Sequence, residues 1–166
     1  MFNSVYIIYP CLQSRYYIGD RIDYFHLKIC SVTNPYLHTH YHIDKFNQPI
    51  LIGQKSDELD LYLEKENART WAFITAYNPK SVVLNPEENE RRNQELQKKI
   101  NCYHYLMGEG RDPSGEWIPE RSYLVLNISR ENAMSLACSF EQKAIVFGNK
   151  GFVAELIELD YPKKAR

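Results

Sequence analysis

From Tyr36 onward the apolar positions switch repeatedly between a two-residue and a three-to-four-residue period, and each switch marks an element. Tyr41 to Phe46 and Pro49 to Gly53 read as strands around an Asn47-Gln48 turn. Ser56 then caps a helix that carries Leu59, Tyr62 and Leu63 on one face and ends near Asn67. Trp71 to Tyr77 is an apolar, β-branched and aromatic run closed by Asn78-Pro79, the pattern of a buried central strand entering a loop. Asn85, Pro86 and Glu88 predict a helix start in which Asn caps, Pro takes the first helical position and Glu reaches back to the cap. That helix should run to about Ile100, with acids early and Lys98 and Lys99 late to suit its macrodipole. Tyr103 to Met107 and Ser122 to Ile128 read as strands joined by a Gly-, Asp- and Pro-rich loop of roughly 14 residues, long enough to be a functional candidate. Ser129 caps a third helix with an inward stripe of Ala133, Leu136, Ala137 and Phe140. Lys143 to Phe147 and Phe152 to Leu159 then form a hairpin around Asn149, Lys150 and Gly151.

Three helices interleaved with hairpin-paired strands predict an α+β fold, a two-layer sandwich of a mixed, largely antiparallel sheet with three helices. Residues 1–35 differ in pattern: Tyr6, Tyr9, Tyr16, Tyr17 and Tyr24 sit among short β-prone runs, Val5 to Tyr9 and Tyr24 to Cys30. They are expected to form an irregular or hairpin N-terminal extension, followed by a single domain over 36–160 and a basic tail over 161–166.

Composition narrows the functions. At 166 residues, 44% hydrophobic and 13% aromatic, the chain has ample material for one domain's core. Twenty basic against 21 acidic side chains give a formal charge of −1, so the electrostatic footprint of a nucleic-acid binder is missing and no nucleic acid is expected. Cys11, Cys30, Cys102 and Cys138 form no CxxC pair and no ligand set with histidine, which argues for a reducing cytoplasm and against zinc or a disulfide framework. The N-terminal apolar run lacks a basic leader and is broken by Pro10, and no window of roughly 18 apolar residues exists, so neither a secretory signal nor a membrane span is expected.

The candidate chemistry lies in polar residues on segments that should face the core. In the second helix, Asn89, Arg92 and Asn93 share a face with Leu96 and Ile100. A guanidinium held against a sheet needs a carboxylate or an anionic ligand, and Glu120 and Asp112 are the internal candidates. If they neutralise Arg92 the cluster is structural; if they do not, Arg92 and the helix start form an anion receptor. Asn78 stands where crevices often open but is also an ordinary turn former, and Gln142 could point its amide into the same area or cap backbone. Gly108, Gly110 and Pro113 lack the following helix of a dinucleotide site, and Asp112 with Glu116 lacks calcium-loop spacing. His38, His40 and His42 would share one strand face, yet an obvious third ligand is absent, so a solvent-facing row is the simpler reading and no metal or cofactor is expected.

Four separated blocks, AFITAYNP at 72–79, ENERRN at 88–93, GEGRDPSGEWIPERSYLV at 108–125 and FEQKAIV at 140–146, resemble the bacterial domain-of-unknown-function family 3293. With Thr39 and Tyr41 upstream the similarity takes in about Tyr36 to Leu159, and Tyr77 replaces the family's usual tryptophan before Asn-Pro. The resemblance implies recurring polar positions at Asn78, Asn89, Arg92, Asn93, Asp112, Trp117, Glu120, Ser122 and Gln142, and small bacterial proteins of unassigned activity.

The sequence therefore leaves two functions open. One is a site for a small polar or anionic ligand, a nucleotide or metabolite, built from Asn78, Asn89, Arg92, Asn93, Asp112, Glu120 and Gln142, with Glu120 the best candidate general base. On this reading Arg92→Leu abolishes ligand binding and leaves the fold intact. The other is a protein-interaction module in which Trp117, Tyr123 and the N-terminal tyrosines supply an aromatic surface while the polar cluster is structural.

Overall fold

A computed structural model of the chain describes residues 34–159. The expected strands at Val5 to Tyr9 and Tyr24 to Cys30, the tyrosines and cysteines among them, and the tail of Lys163, Lys164 and Arg166 lie outside the described residues. The elements are β1 His40–Ile43, α1 Asp57–Lys65, β2 Thr70–Thr75, α2 Pro86–Ile100, β3 Tyr105–Arg111, β4 Glu120–Leu126, α3 Arg130–Ser139, β5 Ala144–Asn149 and β6 Glu155–Glu158. The strands form a six-stranded sheet in the order β1-β3-β4-β2-β5-β6, every neighbouring pair antiparallel. The α+β class with three helices is thus as the sequence predicts. Among the described residues no helix is long and apolar enough to cross a membrane.

Alternation along β2, β4 and β5 divides the core between the sheet's two faces. Ala72, Ile74, Tyr123, Val125, Ile145 and Phe147 meet Leu96 and Ile100 of α2 and Ala133 and Ala137 of α3. Trp71, Phe73, Leu124, Leu126 and Val146 point the other way, onto Leu59, Tyr62 and Leu63 of α1 and onto Tyr41, Ile43 and Ile50. Each helix opens on the cap its sequence supplies: Ser56 Oγ accepts from Leu59 N (3.3 Å), Asn85 Oδ1 from Glu88 N (2.8 Å) and Ser129 Oγ from Asn132 N (3.2 Å). Glu88 does not reach back to Asn85, because its carboxylate is taken by Arg91 one turn on, at 2.8 and 2.6 Å.

Residues 50–52 replace the second strand expected after Asn47. Tyr41 and Ile50 exchange backbone bonds of 3.1 and 2.8 Å, and Ile52 forms a parallel bridge with Ala154 beside β6. Flanking it, Gly53 N donates to Ala154 O (2.8 Å) and Ala154 N to Gln54 O (3.0 Å). The sheet therefore curls until one short stretch touches both of its margins.

The predicted 14-residue loop is shorter than expected, since β3 runs on to Arg111 and β4 starts at Glu120. Two glycines that read as loop residues are strand residues. A Cβ on Gly108 would stand 2.2 Å from the carbonyl oxygen of His42, so only glycine lets β1 approach β3 there. One on Gly110 would meet nothing closer than Thr39 Cγ2 at 3.5 Å. Gly108→Ala should accordingly cost about 1–3 kcal/mol of stability while Gly110→Ala costs little; equal melting temperatures for the two variants would contradict this account of the β1–β3 pairing.

Candidate functional site

β2 leaves the sheet at Thr75, and the backbone groups of Ala76, Tyr77 and Asn78 lose their ladder partners while still largely buried. Buried amides and carbonyls need replacements, and side chains of α2, of Gln142 and of the neighbouring Thr75 provide them. Asn93 Oδ1 accepts from Ala76 N (3.3 Å), and Arg92 Nε donates to Ala76 O (3.0 Å). Thr75 Oγ1 accepts from Tyr77 N (3.0 Å), and Gln142 Nε2 donates to Tyr77 O (2.8 Å). Asn89 Oδ1 accepts from Asn78 N (2.9 Å) and its amide nitrogen returns a bond to Asn78 Oδ1 (2.9 Å). Asn78 Oδ1 also accepts from Leu84 N (3.0 Å), and its Nδ2 donates to Glu120 Oε1 at 2.6 Å. All the sequence-predicted site residues except Asp112 thus gather on one three-residue backbone segment. Among the described residues every fully buried side-chain nitrogen and oxygen has a partner.

The charge pairing expected for Arg92 is not the one formed. Its guanidinium is half-buried and spends its bonds on two carbonyls, Ala76 O and Phe140 O (2.6 Å), with the Phe140 ring 6.0 Å away. Glu120 bonds Asn78, and Asp112 closes its own turn, accepting from Ser114 N (3.0 Å), Ser114 Oγ (2.5 Å) and Glu116 N (2.8 Å). Geometry explains the separation. Glu120 shares the strand parity of Ser122 and Leu124, which places it on the α1 side of the sheet, whereas Arg92 belongs to α2 on the opposite side.

Glu120 is the electrostatic anomaly of the site. Burial pushes its carboxyl above the usual carboxylate range, and the Asn78 amide offsets only part of that. No cation pairs with it among the described residues. Nearby phenols shift in the same direction: burial raises both, followed by Tyr36 and then Glu120 for Tyr41 and by Glu90 for Tyr77, whose Oη donates to Glu90 at 3.3 Å.

The backbone around this cluster is strained. Asn78 (φ 46°), Lys80 (φ 54°), Ser81 (φ 60°) and Glu141 (φ 57°) are all left-handed, a conformation that asparagine tolerates but that costs the others on the order of 1 kcal/mol or more each. The two strained segments are tied together by Lys80 N to Glu141 O (2.8 Å) and by the Lys80–Glu141 ion pair (2.5 Å). Sequence reasoning missed both this clasp and the Thr75 hydroxyl; Asn78-Pro79 and Glu141-Gln142 lie too far apart in the chain for any local pattern to join them.

Residues 74–145 match the family model described as "Protein of unknown function (DUF3293)". The matched stretch belongs to that family. It begins within β2 and ends within β5, so it contains Asn78, α2, the β3–β4 hairpin and Gln142 while leaving out Thr39 and Tyr41. No curated protein and no solved structure matches the chain. DUF3293 carries no assigned activity, so any function must come from the geometry.

The aromatic surface loses one of its members in the fold. Tyr123 is buried, packs edge-on against Tyr105 with centroids 5.4 Å apart, and donates to Asn93 O (3.4 Å). Trp117 is half-buried, and its indole is among the groups that hold the Asp112 carboxyl below its usual range. Of the histidines, His40 and His42 are neighbours on β1 with ring centroids 6.1 Å apart, and burial followed by Arg111 holds His42 below its usual range. Among the described residues no group of three His, Cys, Asp or Glu side chains could hold a metal.

Proposed function

We propose that this DUF3293 protein binds a small polar ligand at the end of β2, with Glu120 as the group that recognises it. The observation that carries this reading is a largely buried carboxylate with a raised pKa and no cationic partner among the described residues, beside a cluster of left-handed residues. Buried charge without a counter-charge costs stability, and backbone strain gathers where a fold keeps a site in place. A donor-rich or protonated ligand group would supply what Glu120 lacks. The same raised pKa makes Glu120 a stronger proton acceptor than an ordinary carboxylate, so it is also the candidate base for any turnover. An anion receptor centred on Arg92 has less support, because that guanidinium is committed to Ala76 and Phe140. Free, exposed Cys102 and Cys138 are in keeping with a reducing cytoplasm, where we place the protein.

Thermal-shift screening against polar metabolites tests the proposal, since a ligand at a hundred times its Kd adds about 2.7 kcal/mol to the folded state. Glu120→Gln should abolish that shift. Without ligand the same variant should melt a few degrees higher than the wild type at neutral pH. A carboxyl whose folded pKa is raised stabilises the fold below its usual range and loses that contribution as pH rises through the raised value. The gap between variant and wild type should therefore close on going to about pH 4, near the ordinary carboxylate pKa. A Glu120→Gln protein that melts lower than the wild type at neutral pH, or that keeps the ligand shift, contradicts the assignment.

A further inference from the structure

A recess lies away from the β2 terminus. Leu37, Leu51, Ile52 and Trp117 give it apolar walls, and His40, Asp112, Ser114 and Glu116 bring polar groups to it. Its volume is about 660 Å³, within the range of small-molecule sites. Its lining includes none of Asn78, Asn89, Arg92, Glu120 or Gln142, so it is separate from the bonding network at the end of β2.

Its chemistry is one-sided. Asp112 and Glu116 line it, and no lysine or arginine does among the described residues. The Asp112 carboxyl is held below its usual range by the Ser114 hydroxyl first, then by the Ser114 and Glu116 amides and the Trp117 indole, so it is ionised at neutral pH. The bonds from Ser114 and Glu116 fix the carboxylate before any ligand arrives, which lowers the ordering cost of binding. An indole face attracts cations, and more strongly where water is partly displaced. We infer that this cleft is a binding site for an organic cation, an ammonium or guanidinium on an apolar or aromatic body, seated against Trp117 with Glu116 and Asp112 supplying the counter-charge.

Three probes of one shape and different charge test this on the full chain: phenethylammonium, phenethyl alcohol and phenylacetate, each titrated calorimetrically at low salt. Phenethylammonium should bind saturably, phenethyl alcohol about tenfold more weakly, and phenylacetate not at all. Glu116→Gln should weaken the ammonium about threefold to tenfold and leave the alcohol's affinity unchanged. Trp117→Leu should weaken the ammonium about tenfold, and neither variant should alter the far-ultraviolet spectrum. Glu116 is exposed, so its replacement tests charge without threatening the fold. Equal binding of the ammonium and the alcohol, preferential binding of phenylacetate, no saturable binding of the ammonium at millimolar concentration, or affinities untouched by both variants would each overturn the inference.

Discussion

Asn78→Ala is expected to destabilise the fold by about 3–5 kcal/mol, the largest effect of any single substitution considered. Three side-chain bonds vanish at once, to Leu84 N, Asn89 Nδ2 and Glu120 Oε1, each worth on the order of 1 kcal/mol and more where the partner is a buried carboxylate. Glu120 is left without its donor, and alanine must adopt a left-handed φ of 46° at a further cost of about 1–2 kcal/mol. Asn78→Gly separates the two contributions, because glycine accepts that backbone freely but supplies no amide. It should recover about 1 kcal/mol relative to alanine and no more. Chemical denaturation reads both values. An alanine variant as stable as the wild type would mean that the asparagine network holds nothing, and the β2 terminus would need another explanation.

Arg92→Leu should cost about 2–4 kcal/mol, contrary to the sequence-based expectation that it spares the fold. The guanidinium satisfies two carbonyls at once, Ala76 O from the end of β2 and Phe140 O from the end of α3, and leucine satisfies neither. Arg92→Lys keeps the charge but loses the planar fork that spans two acceptors, so it should recover less than half of the loss. In urea the midpoint should fall with an unchanged slope, as for a stability change without altered compactness. An Arg92→Leu protein that is fully stable yet fails to bind an anionic metabolite would instead restore the anion-receptor reading of this residue.

Much of the fold is legible in the sequence, for local reasons. The helix caps Ser56, Asn85 and Ser129 satisfy their own amides within three residues, so the signal and the structure share one short window. Trp71 to Tyr77 reads as a central strand because both faces of the sheet are covered at that point. Gly108 and Gly110 mislead because glycine marks both turns and close strand approach, and the approach of His42 is a tertiary fact. The inward polar stripe of α2 is equally legible, and its purpose is not. Periodicity shows that Asn89, Arg92 and Asn93 face inward, but a backbone segment that has just left a sheet does not announce which side chains will complete its bonding. The cleft around Trp117 is illegible for a further reason: its walls come from residues 35–40, 51–54 and 112–117, and no period or motif relates them.

The stretch at 50–54 has a bearing on how the protein meets other molecules. A sheet's outermost strands ordinarily present open amides and carbonyls that can recruit an extended segment from a neighbouring chain, the route to β-addition and fibre growth. Here Tyr41 on one flank and Ala154 on the other already have their hydrogen-bonding capacity occupied from within. An incoming strand therefore finds no free backbone pairing at Tyr41 or Ala154.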